Sequence, residues 1–292
     1  MYEQDFKYFK NSYSESMQKM FAAVGDIYAK YWNDLFHFAL FDKDNESFVE
    51  AFKKTHEKYI KDLKIADAKK VIDLSCGRGG FTNIMAQNTK GNVLGIDISA
   101  SQLLHTSKFN RPNLKFKKHD VMKIDELTEK FDAVSYLDAE CYLPDKNLAL
   151  SKIAKIMRSG GRLLIMGWCK QSGLNSIQEE LVLHPFMKYW AIPNLETKEN
   201  YEKYFKQNGF KIIKIEDMNH KVKKDWEFGY ESALKGIKEL GIKDLPKFMW
   251  KRMNLGDNGI RLIKEQFPSA LYIKVGFDTG FLRYIYYLVE KE

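Results

Sequence analysis

The sequence predicts an α/β fold with a doubly wound, mostly parallel sheet covered by helices on both faces. Three observations carry this. The stretch Val71 to Gly80, V-I-D-L-S-C-G-R-G-G, runs from β-branched apolar residues through a glycine-rich turn into a helix-compatible segment. Strand-like and helix-like segments then alternate, the pattern of a parallel sheet built from crossover units. Finally, three successive strand-like segments end in an acid: Asp73, Asp97 and Asp120.

In chain order, Ser12 to Phe41 reads as helical, with Ser12 and Glu15 as a capping box and Gly25 as a potential break. Ser47 and Glu50 form a second capping box, opening a helix that runs to about Lys64. Strands are expected near 70–74, 92–97, 114–118, 131–137, 161–168 and 210–217, with a last one near 281–289. Helices are expected near 80–88, 100–109, 146–158 and 197–208. Gly160-Gly161 and Gly209 are placed as C-terminal helix caps. Two insertions, near 169–194 and 219–268, are too long for simple connections. The expected organisation is an N-terminal helical lid (1–66) and one catalytic domain (67–292) carrying both insertions. Lid and insertions are expected over the C-terminal ends of the strands, where open α/β sheets bind ligands.

Composition narrows the class. At 292 residues with 45% hydrophobic content, the chain can bury one full α/β core plus an elaboration. Its three cysteines, Cys76, Cys141 and Cys169, include no C-x-x-C pair, and no histidine cluster has zinc spacing. No metal is expected, and a reducing cytoplasm fits. No apolar run approaches the roughly 20 residues of a membrane span. The net charge of +8 is spread over scattered lysine pairs with no basic block, so nucleic acid is not expected as a partner.

The glycine loop lacks the third glycine of the dinucleotide fingerprint, since Thr82 stands there, and it lacks the lysine of a phosphate-binding Walker loop. A carboxylate at Asp73 would repel pyrophosphate and suits a cationic ligand such as S-adenosylmethionine. Asp97 lies where a ribose-binding acid is expected, and two acceptor oxygens there can chelate a 2′,3′-diol. Asp120 can accept from an adenine amino group. Any one of these acids alone is as readily a cap or a solvated strand end.

Together these residues resemble the class I S-adenosylmethionine-dependent methyltransferases. The resemblance extends to the small-molecule branch of tocopherol-type, sterol-type and natural-product enzymes, over roughly Tyr28 to Lys291. It rests on D-L-S-C-G-R-G-G, on Asp138-Ala-Glu140-Cys-Tyr-Leu-Pro144-Asp145, on Gly167-Trp168-Cys169, and on Glu216-Asp217 with Trp226. It implies a Rossmann-like seven-stranded sheet with an antiparallel last strand. It further implies S-adenosylmethionine as methyl donor, S-adenosylhomocysteine as product, and a cytoplasmic monomer or homodimer acting on a small molecule. The cofactor residues it suggests are Asp73, Ser75, Gly77, Gly79, Asp97, Ile98, Gln102, Asp120, Val121 and Leu137. Some plant relatives lack the acid at Asp97, so cofactor contacts transfer more securely than acceptor contacts.

The acceptor should meet the methyl group after the fourth strand, where Asp138, Glu140, Cys141 and Tyr142 stand. Glu140 is the expected acid or base, and His184 is the histidine best suited to take a proton. Tyr31, Trp32, His37, Cys141, Tyr142, Trp168, Phe186 and Trp190 are expected to line an apolar acceptor pocket. Two other readings remain open: an RNA or protein methyltransferase, and a cofactor-binding relative with a cyclase-like role.

Overall fold

The computed structural model describes residues 13–31, 35–239 and 269–292. The expected partner of the first capping box, Ser12, lies outside them, as does the part of the second insertion from 240 to 268. The α-helices of four residues or more among the described residues are α1 (Tyr13–Tyr31), α2 (Phe48–Asp62), α3 (Gly80–Gln87), α4 (Ala100–Leu103), α5 (Lys146–Lys155), α6 (His184–Tyr189), α7 (Lys198–Gln207), α8 (Asn219–Glu239) and α9 (269–278). The strands are β1 (Lys70–Leu74), β2 (Asn92–Asp97), β3 (Leu114–Lys118), β4 (Phe131–Leu137), β5 (Met157–Lys170), β6 (Phe210–Asp217) and β7 (Leu282–Lys291).

They form one seven-stranded sheet of order β3-β2-β1-β4-β5-β7-β6. β7 is antiparallel to both of its neighbours, β5 and β6. The strand order reverses between β1 and β4, which pair in parallel, so the switch-point crevice opens at the C-terminal ends of these two strands.

Side-chain alternation divides the core between the two faces. Leu164, Met166 and Trp168 of β5, with Leu282, Tyr284 and Tyr286 of β7, pack on the face covered by α1, α2 and the insertions. Leu163, Ile165 and Cys169, with Ile285, Tyr287 and Val289, pack against α5 and α7 on the other face. The outer strand β3 carries Lys115, Lys117 and Lys118, and the outer strand β6 carries Lys211 and Lys214, charges that discourage edge-to-edge pairing.

The capping box of Ser47 and Glu50 is present at α2, and Gly209 follows α7 with φ 69°. Three local expectations are corrected. Gly25 does not break α1. A Cβ built there would lie 2.1 Å from Nε2 of Gln102, so the glycine makes room for that side chain. Gly160 and Gly161 lie inside β5, not at a helix end, where the pairing with β4 slips between Phe131 and Ala133. Gly160 takes φ 75° at this irregularity, a conformation glycine adopts without strain. The expected helix at 100–109 is one turn of α-helix followed by 3-10 turns over Leu104–Lys108.

Candidate active site

The crevice at the strand ends is a cleft enclosing about 1010 Å³ of space, part of it open to solvent. One end is built by the glycine loop. After β1 the chain turns sharply, with Ser75 at φ 56°, Gly77 at φ 54° and Gly79 at φ 80°. The loop is tied to β2 by Cys76 N–H donating to Ile96 C=O (2.8 Å) and by Gly77 N–H donating to Asp97 Oδ2 (2.8 Å). Asp97 Oδ1 accepts from Ser99 N–H at 2.7 Å. Burial raises the Asp97 carboxyl to about 6, against the pull of these donors.

The glycines do different work. A Cβ at Gly77 would meet no atom within 4 Å, so the loop leaves open space at its crest, where a ligand can approach the backbone. A Cβ at Gly79 would strike the Phe116 ring at 2.7 Å, so Gly79 permits the loop to pack on β3.

Of the residues expected to hold a cofactor, Ser75, Gly77, Asp97, Ile98, Gln102 and Leu137 line this one cleft. Gly79, Asp73, Asp120 and Val121 do not. The Asp73 carboxylate accepts from the hydroxyls of Thr82 (2.6 Å) and Ser135 (2.5 Å), pinning the first turn of α3 to β4 beneath the loop. Burial raises its carboxyl to about 6. Asp120 caps the turn that follows β3, accepting from Met122 N–H at 2.9 Å. Val121 is buried in the core on the far face of the sheet.

The other end of the cleft is aromatic. Trp168 at the end of β5 stacks on Phe186 (centroids 5.4 Å apart) and packs against Phe38 at 5.2 Å. Phe186 and Trp190 lie four residues apart and line the cleft together. Trp190 meets Tyr28 edge-on at 4.9 Å and donates its Nε1–H to Ser269 Oγ. His37, Cys141, Tyr142, Trp168, Phe186 and Trp190 therefore occupy the wall where an acceptor pocket was expected. The side chain of Tyr31, and Trp32 altogether, lie outside the described residues.

The two residues expected to be catalytic are not in the lining. Glu140 is buried behind Trp168, whose backbone N–H it accepts at 2.7 Å through Oε1. Its Oε2 has no partner among the described residues, and burial raises its carboxyl to about 8. Nearby, burial lowers the Lys146 ammonium to about 8 while its Nζ donates to the carbonyls of Cys141, Leu143 and Asn194. His184 begins α6 on a side away from Phe186, with Nε2 3.9 Å from the Glu179 carboxylate. The helical turn that brings Phe186 and Trp190 inward carries His184 outward.

Of the acids after β4, Asp138 is the one that reaches the cleft. Residue 138 takes φ 56°, an unfavourable conformation for a residue with a Cβ, and this turn points the chain toward α1. His37 lines the cleft as a neutral ring. Its Nδ1–H donates to Phe38 C=O (3.1 Å), which leaves Nε2 to accept from His56 Nε2–H (3.1 Å). Burial lowers the His37 imidazolium to about 4. Cys141 is buried, which raises its thiol and makes it an inert wall residue.

Helix α1 supplies a wall of which only Tyr31 was expected to line the pocket. Tyr13, Met17, Phe21 and Tyr28 all line the cleft, and all fall on one helical face. That spacing was the available signal, yet it is identical to the spacing of an ordinary buried stripe. The helix is held over the glycine-loop end by Arg78, whose guanidinium pairs with Asp26 (2.7 Å) and donates to Gln102 Oε1 (3.2 Å). Gln102 Nε2 in turn donates to Phe21 C=O at 3.2 Å. Among the described residues no group of three or more His, Cys, Asp or Glu is arranged to hold a metal ion.

Comparison with known proteins agrees with this architecture. The chain is 28% identical over 214 residues to the sterol 24-C-methyltransferase ERG6 of Saccharomyces cerevisiae, covering 70% of this chain and 55% of that protein. It therefore spans about half the length of that relative. It is 21% identical over 293 residues to the chloroplastic tocopherol O-methyltransferase of Arabidopsis thaliana, covering 92% of this chain and 80% of the other. The solved structure of the cyclopropane synthase MmaA2 from Mycobacterium tuberculosis matches with a TM-score of 0.74 at 15% identity, over 96% of this chain and 99% of that one. At such identity the likeness speaks for the fold alone. A family model described as a methyltransferase domain matches residues 29–215, more than half of the sequence. With that match, and a glycine loop, a β2 acid and a reversed strand order all framing one cleft, the chain belongs to the methyltransferase-domain family.

Proposed function

We propose that this protein transfers a methyl group from S-adenosylmethionine to a small apolar or aromatic acceptor. The observation that carries the reading is the continuity of the cleft. Ser75, Gly77, Asp97, Ile98 and Gln102 at one end, and Trp168, Phe186 and Trp190 at the other, line the same space. The residues at the first end fit the donor. Gly77 leaves the loop crest open, Asp97 offers carboxylate lone pairs beyond the two backbone N–H groups it already accepts, and Ile98 with Leu137 adds apolar surface.

When bound, the donor supplies an activated methyl group on a sulfonium. The chain's own residues bind and orient. Asp97 and the glycine loop hold the nucleoside end, and the aromatic wall seats the acceptor and keeps water from the reacting pair. Positioning two reactants in this way accounts for a large part of such a barrier, on the order of 7–11 kcal/mol in well-aligned systems. The enclosed aromatic wall beneath α1 supports a small acceptor over a nucleic acid or protein chain. α1 and residues 35–41 act as a lid over the cleft. Three free cysteines support a cytoplasmic setting.

The test has two steps. Calorimetry should show one S-adenosylmethionine and one S-adenosylhomocysteine bound per chain. Incubation with the donor and a panel of phenols, sterols and apolar amines should yield S-adenosylhomocysteine and a product heavier by one methylene. Absence of donor binding would sink the reading. Binding without turnover across the panel would favour the cyclase-like alternative.

A further inference from the structure

Asp138 stands apart from every other polar group in the cleft. Its carboxylate is fixed by donors from three separate parts of the chain. Trp168 Nε1–H donates to Oδ1 at 2.7 Å from β5, Tyr284 O–H donates to Oδ2 at 2.7 Å from β7, and Phe38 N–H donates to Oδ2 at 3.1 Å from the segment after α1. Three of its four acceptor positions are filled, and one on Oδ1 remains. The backbone at 138 is strained, and such strain persists where surrounding structure enforces it. The other carboxylate in the lining, Asp97, is at the donor end holding the loop. Glu140 and His184 are outside the lining, and both nitrogens of His37 are committed.

From this geometry we infer that Asp138 is the catalytic base: it takes the proton that methyl transfer releases, and the site therefore accepts neutral acceptors. The inference rests on the methyl-transfer reading. In the step, a lone pair on an O–H or N–H acceptor, or the π electrons of an alkene or electron-rich ring, forms a bond to the methyl carbon. The carbon–sulfur bond breaks and its electron pair returns to sulfur, leaving the neutral thioether. The acceptor's O–H or N–H proton, or the C–H proton of the carbocation formed by carbon attack, passes to Asp138. The sulfonium's positive charge and the carboxylate's negative charge are both extinguished, so charge balances. Trp168, Tyr284 and the Phe38 amide are positioning groups. A carboxylate acceptor would set a second negative charge against Asp138 and is disfavoured.

Protonation of Asp138 is poised for this role. Burial raises its carboxyl to about 7, opposed by the Tyr284, Trp168 and Phe38 donors. The ionisable groups facing it are Tyr284 of β7, Tyr28 of α1, Tyr59 of α2, and Glu140, Cys141 and Tyr142 of the turn after β4. The four phenols and the thiol are held neutral by burial, and Glu140 is raised to about 8. A cation in the cleft should therefore displace the proton chiefly from Asp138.

Calorimetry on the full chain at pH 7, in buffers of different ionisation enthalpy, tests this with S-adenosylmethionine and S-adenosylhomocysteine as probes. The sulfonium should release on the order of half a proton per site, and the neutral thioether much less. Asp138→Asn should abolish the difference and weaken S-adenosylmethionine about ten-fold or more while S-adenosylhomocysteine affinity stays within a few-fold, and Glu140→Gln should keep the difference. Tyr284→Phe, which removes one donor to the carboxylate, should move the pH midpoint of the difference upward. The inference is overturned if wild type shows no difference between the probes, or if Asp138→Asn retains it. If neither probe binds, the methyl-transfer reading itself fails.

Discussion

The two ends of the cleft are built in opposite ways. The donor end comes from the strand ends and loops of one stretch, Ser75 to Leu137, and its contacts are largely backbone to carboxylate, such as Gly77 N–H and Ser99 N–H to Asp97. The aromatic end gathers Phe21, Phe38, Trp168, Phe186, Trp190 and Ile273, residues from α1 to α9, largely through ring-on-ring packing of the aromatic side chains. Under the proposed methyl transfer, the difference teaches that the shared fold encodes the donor site and the elaborations encode the acceptor site. A contiguous loop can be specified by glycines and a single acid. An aromatic wall is specified only by how distant segments pack.

If that division holds, mutations at one end should leave the other intact. The largest effect is expected at Trp168→Ala. Removing an indole packed between Phe38 and Phe186 should cost about 3–5 kcal/mol of stability and most of the acceptor affinity. Denaturant titration reads the first, and the variant that remains folded should bind S-adenosylhomocysteine normally. Loss of donor binding in that folded variant would break the division.

Asp97→Ala comes next, at the opposite end. Losing a buried carboxylate that accepts two backbone N–H bonds should weaken donor binding by about 2–4 kcal/mol, on the order of 30- to 1,000-fold, measured by calorimetry. The acceptor wall should be unchanged in its near-ultraviolet circular dichroism.

A smaller effect sharpens how the lid joins the two ends. Gly25→Ala should destabilise by about 1 kcal/mol, because overpacking outweighs the better helix propensity of alanine. The new methyl displaces Gln102 from Phe21 C=O and Arg78, and the double variant with Gln102→Ala should recover part of the loss in thermal unfolding. Smallest of all is Asp26→Asn. Its side chain is 64% exposed, so breaking the pair with Arg78 should change stability by less than about 1 kcal/mol and show mainly as faster donor dissociation at low salt.

Much of the fold was legible in the sequence because its signals are local. The strands from 70 to 137 alternate or run apolar between turn residues, and their bounds were read closely. The strand at 157–170 was read short because Gly160-Gly161 lie near its start, glycines that serve a helix cap and a strand irregularity equally well. Gly25 was misread for the same reason. A glycine in a helix signals a break or a close approach, and only Gln102, distant in sequence, distinguishes them.

The site divides along the same line. Gly77 and Asp97 could be singled out because their spacing is a local consequence of one strand, one turn and the next strand, and both line the cleft. Glu140 was preferred to Asp138 because both follow β4 and residue type alone cannot rank them. The structure places Asp138, at φ 56°, in the cleft lining, while Glu140 turns under Trp168. His184 was chosen for its chemistry, whereas helical phase sends it outward opposite Phe186 and Trp190.

By itself, then, the sequence determined the order of elements, the doubly wound sheet and the donor loop, since each follows from periodicity and turn residues within a few tens of positions. Only the tertiary structure decided which acid after β4 reaches the cleft and what encloses it. Tyr284, Trp168 and Phe38 converge on Asp138 from points up to 146 residues away in sequence. Contacts of that range depend on how β5, β7 and α1 pack together, and no spacing rule along the chain records that packing.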